Sequence, residues 1–413
     1  MNSITSTPQS HTMNSINCKC RKQRKGFLMN LPSEILVEIL SRLPARAVLR
    51  CKSVCKTWLE ILSDPRFVSF HFAIARARPG LIVHQIEMFK NFMKLVEFED
   101  KIYHHDIDQD SLVKFHPKWL SESPDANLVL DGSVNGLLCL RDTNYEQETV
   151  YICNPITREY VKLPAPEGVV RYQSVVTYGF GVSRVTGEYK VVRVCHEQVL
   201  DPISQACIRI PRSECQVYSL GTGSWRSINE NMLNFAYGGR CRPVGLFFNG
   251  NVHWLIQDLN EDSYELISCF DLEKEAFQPF PSPFLGRQGL LLSLGVLQDR
   301  LCLCDNTSFS EISIWVMKEY GVKKSWTREF VIGKMTELIG PTLEVVYPLK
   351  VFKDGVIMVL WGDFFMMYCC NKSNLGQEVD MEQSRGPNRI EAMLHVPSLF
   401  SLKNFGLENV KNF

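Results

Sequence analysis

The chain has no excess of charge of either sign. Its 413 residues carry 45 Lys and Arg against 45 Asp and Glu. That balance excludes a generally basic nucleic-acid binder and an acidic solvating chain. No stretch reaches the ~18 apolar residues of a membrane helix. The best apolar runs, Gly289–Leu297 and Val356–Trp361, have strand length. The N-terminus is polar as far as Gly26, without the apolar core of a secretory signal. A cytoplasmic or nuclear protein, with no membrane partner, is expected.

Catalytic signatures are equally scarce. There is no Gly-x-Ser-x-Gly and no His-Glu-x-x-His. Gly179-x-Gly181 lacks the third glycine of a phosphate loop, and Gly221-Thr222-Gly223-Ser224-Trp225 reads as a hairpin turn. His104-His105-Asp106-x-Asp108-x-Asp110, with His116, has the carboxylate spacing of a calcium loop. Ser111 replaces its glycine and Pro117 its terminal Glu, so a solvated acidic loop is expected. Fifteen cysteines contain no Cys-x-x-Cys pair, and several sit inside apolar runs as small hydrophobes. Cys51, Cys195 and Cys241 have basic or His neighbours in sequence. Adjacent positions point apart on a strand and do not face each other on a helix, so adjacency does not activate a thiol. His253, inside an apolar strand, reads as a satisfied buried histidine. No cofactor, no metal, no catalytic residue and no nucleic-acid partner are expected.

Residues 1–27 are Ser-, Thr- and Asn-rich and then basic, with no periodicity; a disordered basic tail is expected. In residues 31–67 the spacing predicts three short helices. Ile35, Leu36, Ile39, Leu40 and Leu43 form one apolar stripe. Pro32 suits the first turn and Pro44 the stop. A second stretch, Ala45–Cys51, carries Val48 and Leu49. A third carries Val54, Cys55, Trp58, Ile61 and Leu62, and Asp64-Pro65 ends it. A unit this small cannot make a large core, so a partner surface is expected.

From about residue 80 the texture becomes all-β. A turn followed by an apolar strand recurs at Asn135-Gly136, Thr186-Gly187, Asn249-Gly250, Asp299-Arg300 and Asp354-Gly355. The spacings are 51, 63, 50 and 55 residues. A second motif runs in phase: Asn154 with Tyr160, Ser219 with Trp225, Asp271 with Phe277, and more loosely Trp315 with Trp326. Two hairpins per ~50 residues describe the four-stranded blades of a propeller. Residues 80–402 then hold six or seven blades. The recurring aromatics, with Trp254 and Trp361, would pack between blades. Ile390–Leu402 could pair with a first blade at Leu81–Val83 and Met93–Phe98 and close the ring.

Leu31-Pro32-x-x-Ile35-Leu36-x-x-Ile39-Leu40-x-x-Leu43-Pro44 … Leu49 … Val54-Cys55-Lys56-x-Trp58 … Asp64-Pro65-x-Phe67 closely resembles the F-box. The β part is similar to the F-box-associated domain of plant F-box proteins. The matching motifs are Tyr178-Gly179-Phe180-Gly181-Val182 … Glu188-Tyr189-Lys190-Val191-Val192, Asn135-Gly136-Leu137-Leu138-Cys139 and Cys153-Asn154-Pro155-Ile156-Thr157-Arg158 … Leu163-Pro164. A strict kelch pattern fits less well, since only Gly238-Gly239 supplies its double glycine.

The resemblance implies an α+β multidomain chain: a basic tail at 1–27, a three-helix F-box at 28–73 and a propeller-like F-box-associated domain at 80–402. It implies a non-catalytic substrate receptor of an SCF ubiquitin ligase. Such a chain binds a Skp-type adaptor, through it a cullin, and an unidentified protein marked for ubiquitination and degradation. Leu31, Pro32, Ile35, Leu36, Ile39, Leu43, Pro44, Leu49, Val54 and Trp58 match F-box positions that contact the adaptor or support the contact. The Leu31-Pro32 pair lies outside the periodic stripe and is the stronger candidate for direct contact. Target-binding candidates are the long connections Glu197–Arg212, Asn229–Arg242 and Gln257–Ser263. Two other readings remain at this point: a propeller enzyme or sugar-binding module with a helical cap, and an F-box protein that binds its adaptor without directing degradation.

Overall fold

Pro32 and Pro44 each stand just before a helix rather than inside one. Their carbonyls accept the N–H groups of Leu36 and Val48, both at 3.1 Å, closing the first turns of α1 (Ser33–Leu40) and α2 (Ala45–Cys51). Pro44 therefore opens α2 rather than stopping α1, which already ends at Leu40. α3 spans Lys56–Ser63. The expectation of three helices is corrected to four, because Asp64-Pro65 starts an element as well as ending one. The Asp64 carboxylate accepts the Arg66 backbone N–H at 2.7 Å, and Pro65 occupies the first helical position of α4 (Pro65–Ala75). An acidic cap followed by proline is a start signal.

This computed structural model describes residues 31–413 apart from 77–78, 88–89, 97–110, 116–127, 144–147, 167–173, 201–206, 229–234, 238–243, 259–264, 284–290, 335–343, 363, 370–375, 380–388 and 408. The basic tail, the His104–Asp110 loop, Gly238-Gly239 and Cys241 lie outside the described residues.

After the helices the chain is mostly β. The first sheet holds β1 (Gly80–Glu87), β2 (Lys90–Val96) and β3 (Ser111–Phe115). The second holds β4 (Leu128–Val134), β5 (Leu137–Asp142), β6 (Thr149–Asn154) and β7 (Glu159–Lys162). The third is nine-stranded. Its first half is β8 (Ser174–Val182), β9 (Tyr189–Leu200), β10 (Cys207–Ser219) and β11 (Trp225–Ile228). Its second half is β12 (Phe235–Tyr237), β13 (Val244–Phe248), β14 (Asn251–Asp258), β15 (Glu265–Asp271) and β16 (Ala276–Phe280). The fourth holds β17 (Leu292–Leu297), β18 (Arg300–Asp305), β19 (Glu311–Met317) and β20 (Trp326–Gly333). The fifth holds β21 (Val346–Val351), β22 (Val356–Trp361), β23 (Phe364–Cys369) and β24 (Gly376–Val379). Then β25 (Arg389–His395) returns to pair antiparallel with β1, from Gly80 opposite His395 to Ile86 opposite Arg389. Strand β26 (Lys411–Asn412) pairs with β7. Strands β4, β8, β13, β17, β21 and β25 lie one against the next around a closed ring.

The turn residues dictate this register. Asn135 and Gly136 have φ of 49° and 85°, and Asn249 and Gly250 have 54° and 80°. Two successive left-handed residues make the tight turn whose twist matches antiparallel strands. In the fourth sheet the left-handed pair is Gln298 and Asp299, one residue earlier than expected, and Arg300 already belongs to β18. The second motif also has a physical basis. The Asn154 side chain accepts the Ile156 N–H, and the Asp271 side chain accepts the Glu273 N–H, both at 2.9 Å. These side chains mimic a backbone turn. The partnered aromatics Tyr160, Trp225, Phe277 and Trp326 stand opposite Cys153, Tyr218, Phe270 and Met317. Two of them stitch neighbouring units together: Trp225 Nε1 donates to Pro164 O at 2.8 Å, and Trp326 Nε1 to Pro281 O at 2.9 Å.

Gly179-x-Gly181 serves packing. β8 and β13 run parallel, with Gly179 opposite Gly245. A Cβ on Gly179 would meet Val252 Cγ1 at 2.4 Å, and one on Gly245 would meet the Trp254 indole at 2.8 Å. The two glycines leave room for that indole, whose Nε1 donates to Thr177 Oγ1 at 3.1 Å.

The helices share a core with the β part. Leu36, Leu40, Val48, Trp58, Leu62 and Phe67 belong to one buried cluster with Ile82, Met93, Leu95, Leu138, Leu140 and Cys153. The helical module therefore shares its buried core with the first two sheets.

Candidate functional site

The expected apolar stripe on α1 divides in two. Successive helical residues are rotated by ~100°, so Leu36 and Leu40 point inward while Ile35 and Ile39 point out. Trp58 in α3 is buried, and Leu59 beside it is exposed. Val54, between α2 and α3, and Phe70 in α4 are also exposed. The five outward side chains are 41–54% accessible. They are five of the nine large hydrophobic residues exposed among the described residues.

The ten residues expected at the adaptor contact fall into three groups. Pro32, Ile35, Ile39, Pro44 and Val54 are exposed. Leu31, Leu43 and Leu49 are half-buried and packed against the shared core. Leu36 and Trp58 are buried in it. The Leu31-Pro32 pair is thus divided, with Leu31 half-buried against the core and Pro32 exposed. Leu59 and Phe70 were not singled out from sequence. Leu59 had a signal, because a residue next to an inward Trp on a helix faces elsewhere. Phe70 was hidden by missing α4.

α4 is part of the same unit. His71 is buried, and its Nε2–H donates to Leu43 O at 2.9 Å, tying α4 to the α1–α2 connection. Burial lowers the His71 pKa, so the ring is held neutral. Residues 31–76 carry seven basic and four acidic side chains, a net of +3.

Elsewhere the polar groups are absorbed by the fold. His253 is buried; its Nδ1–H donates to Leu246 O at 3.2 Å, and Tyr320 OH donates to its Nε2 at 2.8 Å. Desolvation brings its pKa down to about 4. Nine described cysteines are free thiols. Burial pushes the thiols of Cys51 and Cys195 up, the opposite of what activation needs. Arg141 makes a bidentate pair with buried Asp131, at 2.7 and 3.1 Å, and lies 5.0 Å from the Tyr178 ring. Tyr178 OH donates to Glu148 at 3.1 Å, linking the second and third sheets.

A cavity of about 200 Å³ lies where the ring strands converge, lined by Leu130, Phe180, Leu246, Leu294 and Met393 among others. Its acidic group, Glu391, already accepts the Leu130 N–H at 2.9 Å and pairs with His84 at 3.3 Å. Among the described residues no group of three or more His, Cys, Asp or Glu is placed to hold a metal, and no helix is long and apolar enough to cross a membrane.

A helical module with an outward apolar face, sharing a core with a ring of β-sheets, defines a two-part protein of helical head and propeller-like body. The chain belongs to the family of the F-box associated beta propeller domain, which matches residues 88–402, and an F-box-like domain matches residues 28–72. It is a plant-type F-box protein. It is 30% identical to F-box protein At3g07870 of Arabidopsis thaliana, over 75% of this chain and 74% of that protein. It is 28% identical to F-box protein CPR1 of the same plant, over 79% and 78%. It is 26% identical to F-box/kelch-repeat protein At3g23880, over 80% and 85%. Among solved structures it is similar to the Aleuria aurantia lectin in complex with alpha-methyl-L-fucoside, at 9% identity and a TM-score of 0.35, over 78% of this chain and 96% of that one. That likeness is too distant to carry over a ligand.

Proposed function

We propose that this chain is the substrate-recognition subunit of an SCF-type ubiquitin ligase, with a six-bladed propeller as its receptor part. The observation that carries the reading is the division of the F-box helices. One face is locked onto the first two sheets, and Ile35, Ile39, Val54, Leu59 and Phe70 remain exposed. A small module that keeps large apolar side chains in water is half of an interface. The partner is a Skp-type adaptor, which bridges to a cullin. In this reading Pro32, Ile35, Ile39, Pro44 and Val54 touch the adaptor, while Leu31, Leu36, Leu43, Leu49 and Trp58 hold them in place.

The blade count rests on the ring β4, β8, β13, β17, β21 and β25, each strand beginning a four-stranded unit. Antiparallel alternation sorts the connections. The β4–β5, β6–β7, β8–β9 and β10–β11 turns fall at one end, near the F-box. The strand ends at Leu200, Ile228 and Asp258, from which the three candidate target-binding connections leave, fall at the other. A protein target held there leaves the adaptor face free. In this reading the chain itself carries out no chemical step. It acts by effective concentration, holding a target lysine near a conjugating enzyme's thioester.

The test is reconstitution. Purified chain titrated with a Skp-type adaptor should bind with submicromolar Kd, and adding cullin with a charged conjugating enzyme should transfer ubiquitin to a captured protein. Absence of adaptor binding would sink the reading. Adaptor binding with no captured protein ever modified would favour an F-box protein that does not direct degradation.

A further inference from the structure

The chain does not stop where the ring closes. After β25 it runs along the end of the sheets that carries the tight turns, and it ties down at several points. Asn154 Nδ2 donates to Ser398 O at 3.1 Å and to Phe400 O at 2.8 Å. Both Glu159 carboxylate oxygens are engaged at 2.8 Å, one by Ser401 Oγ–H and the other by the Leu402 N–H. The Asn135-Gly136 turn lies so close beneath that a Cβ on Gly136 would meet Ser398 Oγ at 2.0 Å. Further on, Phe405 stacks edge-on to Tyr189 at 5.2 Å, and Phe413 lies 5.5 Å from Phe115 and 6.4 Å from Tyr160. This segment therefore crosses parts of three sheets.

The same segment touches the helices. The Phe72 ring of α4 meets the Phe400 ring edge-on at 5.2 Å. Phe400 also packs on the cluster that joins the F-box to the first two sheets. Lys52, after α2, has its pKa lowered by burial and partly restored by the Glu159 carboxylate, so that charge lies across the same seam. Glu159 thus holds the segment through hydrogen bonds and lies within electrostatic reach of a cation of the F-box.

We propose that Ser398–Phe413 is a clasp that fixes the angle between the F-box and the β domain, with Phe400 and Glu159 as its positioning residues. This rests on the ligase reading for its purpose, though not for its geometry. Holding two reactive groups at a set separation is worth far more than tethering them loosely, because effective molarity falls as the linkage slackens. A joint that pivots freely would spread ubiquitin over many lysines.

The joint is measured directly in the full chain. Two fluorophores carried on p-azidophenylalanine at positions Ser69 and Val185, both exposed, report the F-box-to-β distance without touching the native thiols. In the wild type the distance distribution is narrow. In Phe400→Ala its width should at least double. Phe72→Ala removes the same ring contact from the helical side, without altering the β domain, and should broaden it equally; the double variant should be no broader than either single one, because the pair acts as one contact. An unchanged width in both single variants overturns the proposal, as does a double variant with the sum of the two effects. In the reconstituted ligase, Phe72→Ala should keep adaptor affinity within twofold while the number of lysines modified on the chain itself at least doubles. An unaltered lysine pattern would overturn the positioning role. A wild-type chain that binds no adaptor overturns the ligase reading, and the distance width still decides the clasp.

Discussion

Within the 46 residues 31–76, Ile35, Ile39, Val54, Leu59 and Phe70 stand exposed, whereas the described β part leaves out only Val185, Phe309, Val322 and Val331. The two regions are built from similar apolar side chains and differ in closure. In a ring of sheets each described sheet packs its apolar faces on its neighbours, and the pairing of β25 with β1 joins the end of the chain's β part to its beginning. Four short helices have only one side on which to be covered. Here that side is taken by the first two sheets, so the other side stays exposed to solvent. The comparison separates residues that hold the fold from residues that serve it, and each measurement below presses on one side of it.

The largest expected effect is acid loosening of the ring. His196 and His253 are held at a pKa of about 4, and His395 at about 3, all by burial. Their ordinary value is 6.5. The folded state therefore binds fewer protons than the unfolded one. Stability is fully present above pH 6.5 and is lost as pH falls from there towards 4, at ~1.4 kcal/mol per unit for each ring. From pH 7 to 5 the three together should cost roughly 5 kcal/mol. Calorimetric melting across that range should show a steep fall in Tm; a flat profile would mean that these rings are hydrated or already charged.

Next is Trp254→Ala, which empties the space that Gly179 and Gly245 leave open. Removing a buried Trp costs ~3–5 kcal/mol, read from denaturant unfolding. Adaptor affinity should be unaffected, since the residue belongs to the side that holds the fold. A loss of adaptor binding in a variant that is still folded would show that the two regions are not separable.

The smallest effect concerns thiol access. Cys51 and Cys55 in the helical part are half-buried, while Cys139, Cys153, Cys195, Cys215, Cys269, Cys302 and Cys304 are buried. Under native conditions an alkylating reagent should modify the first two at least tenfold faster than the other seven, as read by peptide mass spectrometry. Equal rates would contradict a closed ring.

How much of this was legible in the sequence depends on the range of the interaction. Asn135-Gly136 and Asn249-Gly250 announced their turns because the φ requirement is local. The aromatic in each second hairpin was legible because its spacing recurs, and its role between units was correct for Trp225 and Trp326. The inward and outward members of the α1 stripe were not separable, because Ile35 and Leu36 are both apolar and only the third dimension says which one joins the shared core. α4 was missed because Asp64-Pro65 ends one helix and caps the next. The clasp left no pattern at all. Its bonds join Asn154 to Ser398 and Glu159 to Ser401, across more than 240 residues of separation, and polar pairs at that range have no periodicity to betray them.

The central claim is that the exposed face of α1 is kept for the adaptor while the buried face holds the fold. It is tested most directly by titrating a Skp-type adaptor against Ile35→Ala/Ile39→Ala and against Leu36→Ala, with an unfolding curve for each. The outward pair should lose roughly 30-fold in affinity, about 2 kcal/mol, with stability within ~1 kcal/mol of wild type. Leu36→Ala should lose ~2–5 kcal/mol of F-box stability. An Ile35→Ala/Ile39→Ala variant that binds the adaptor as tightly as wild type would contradict the account.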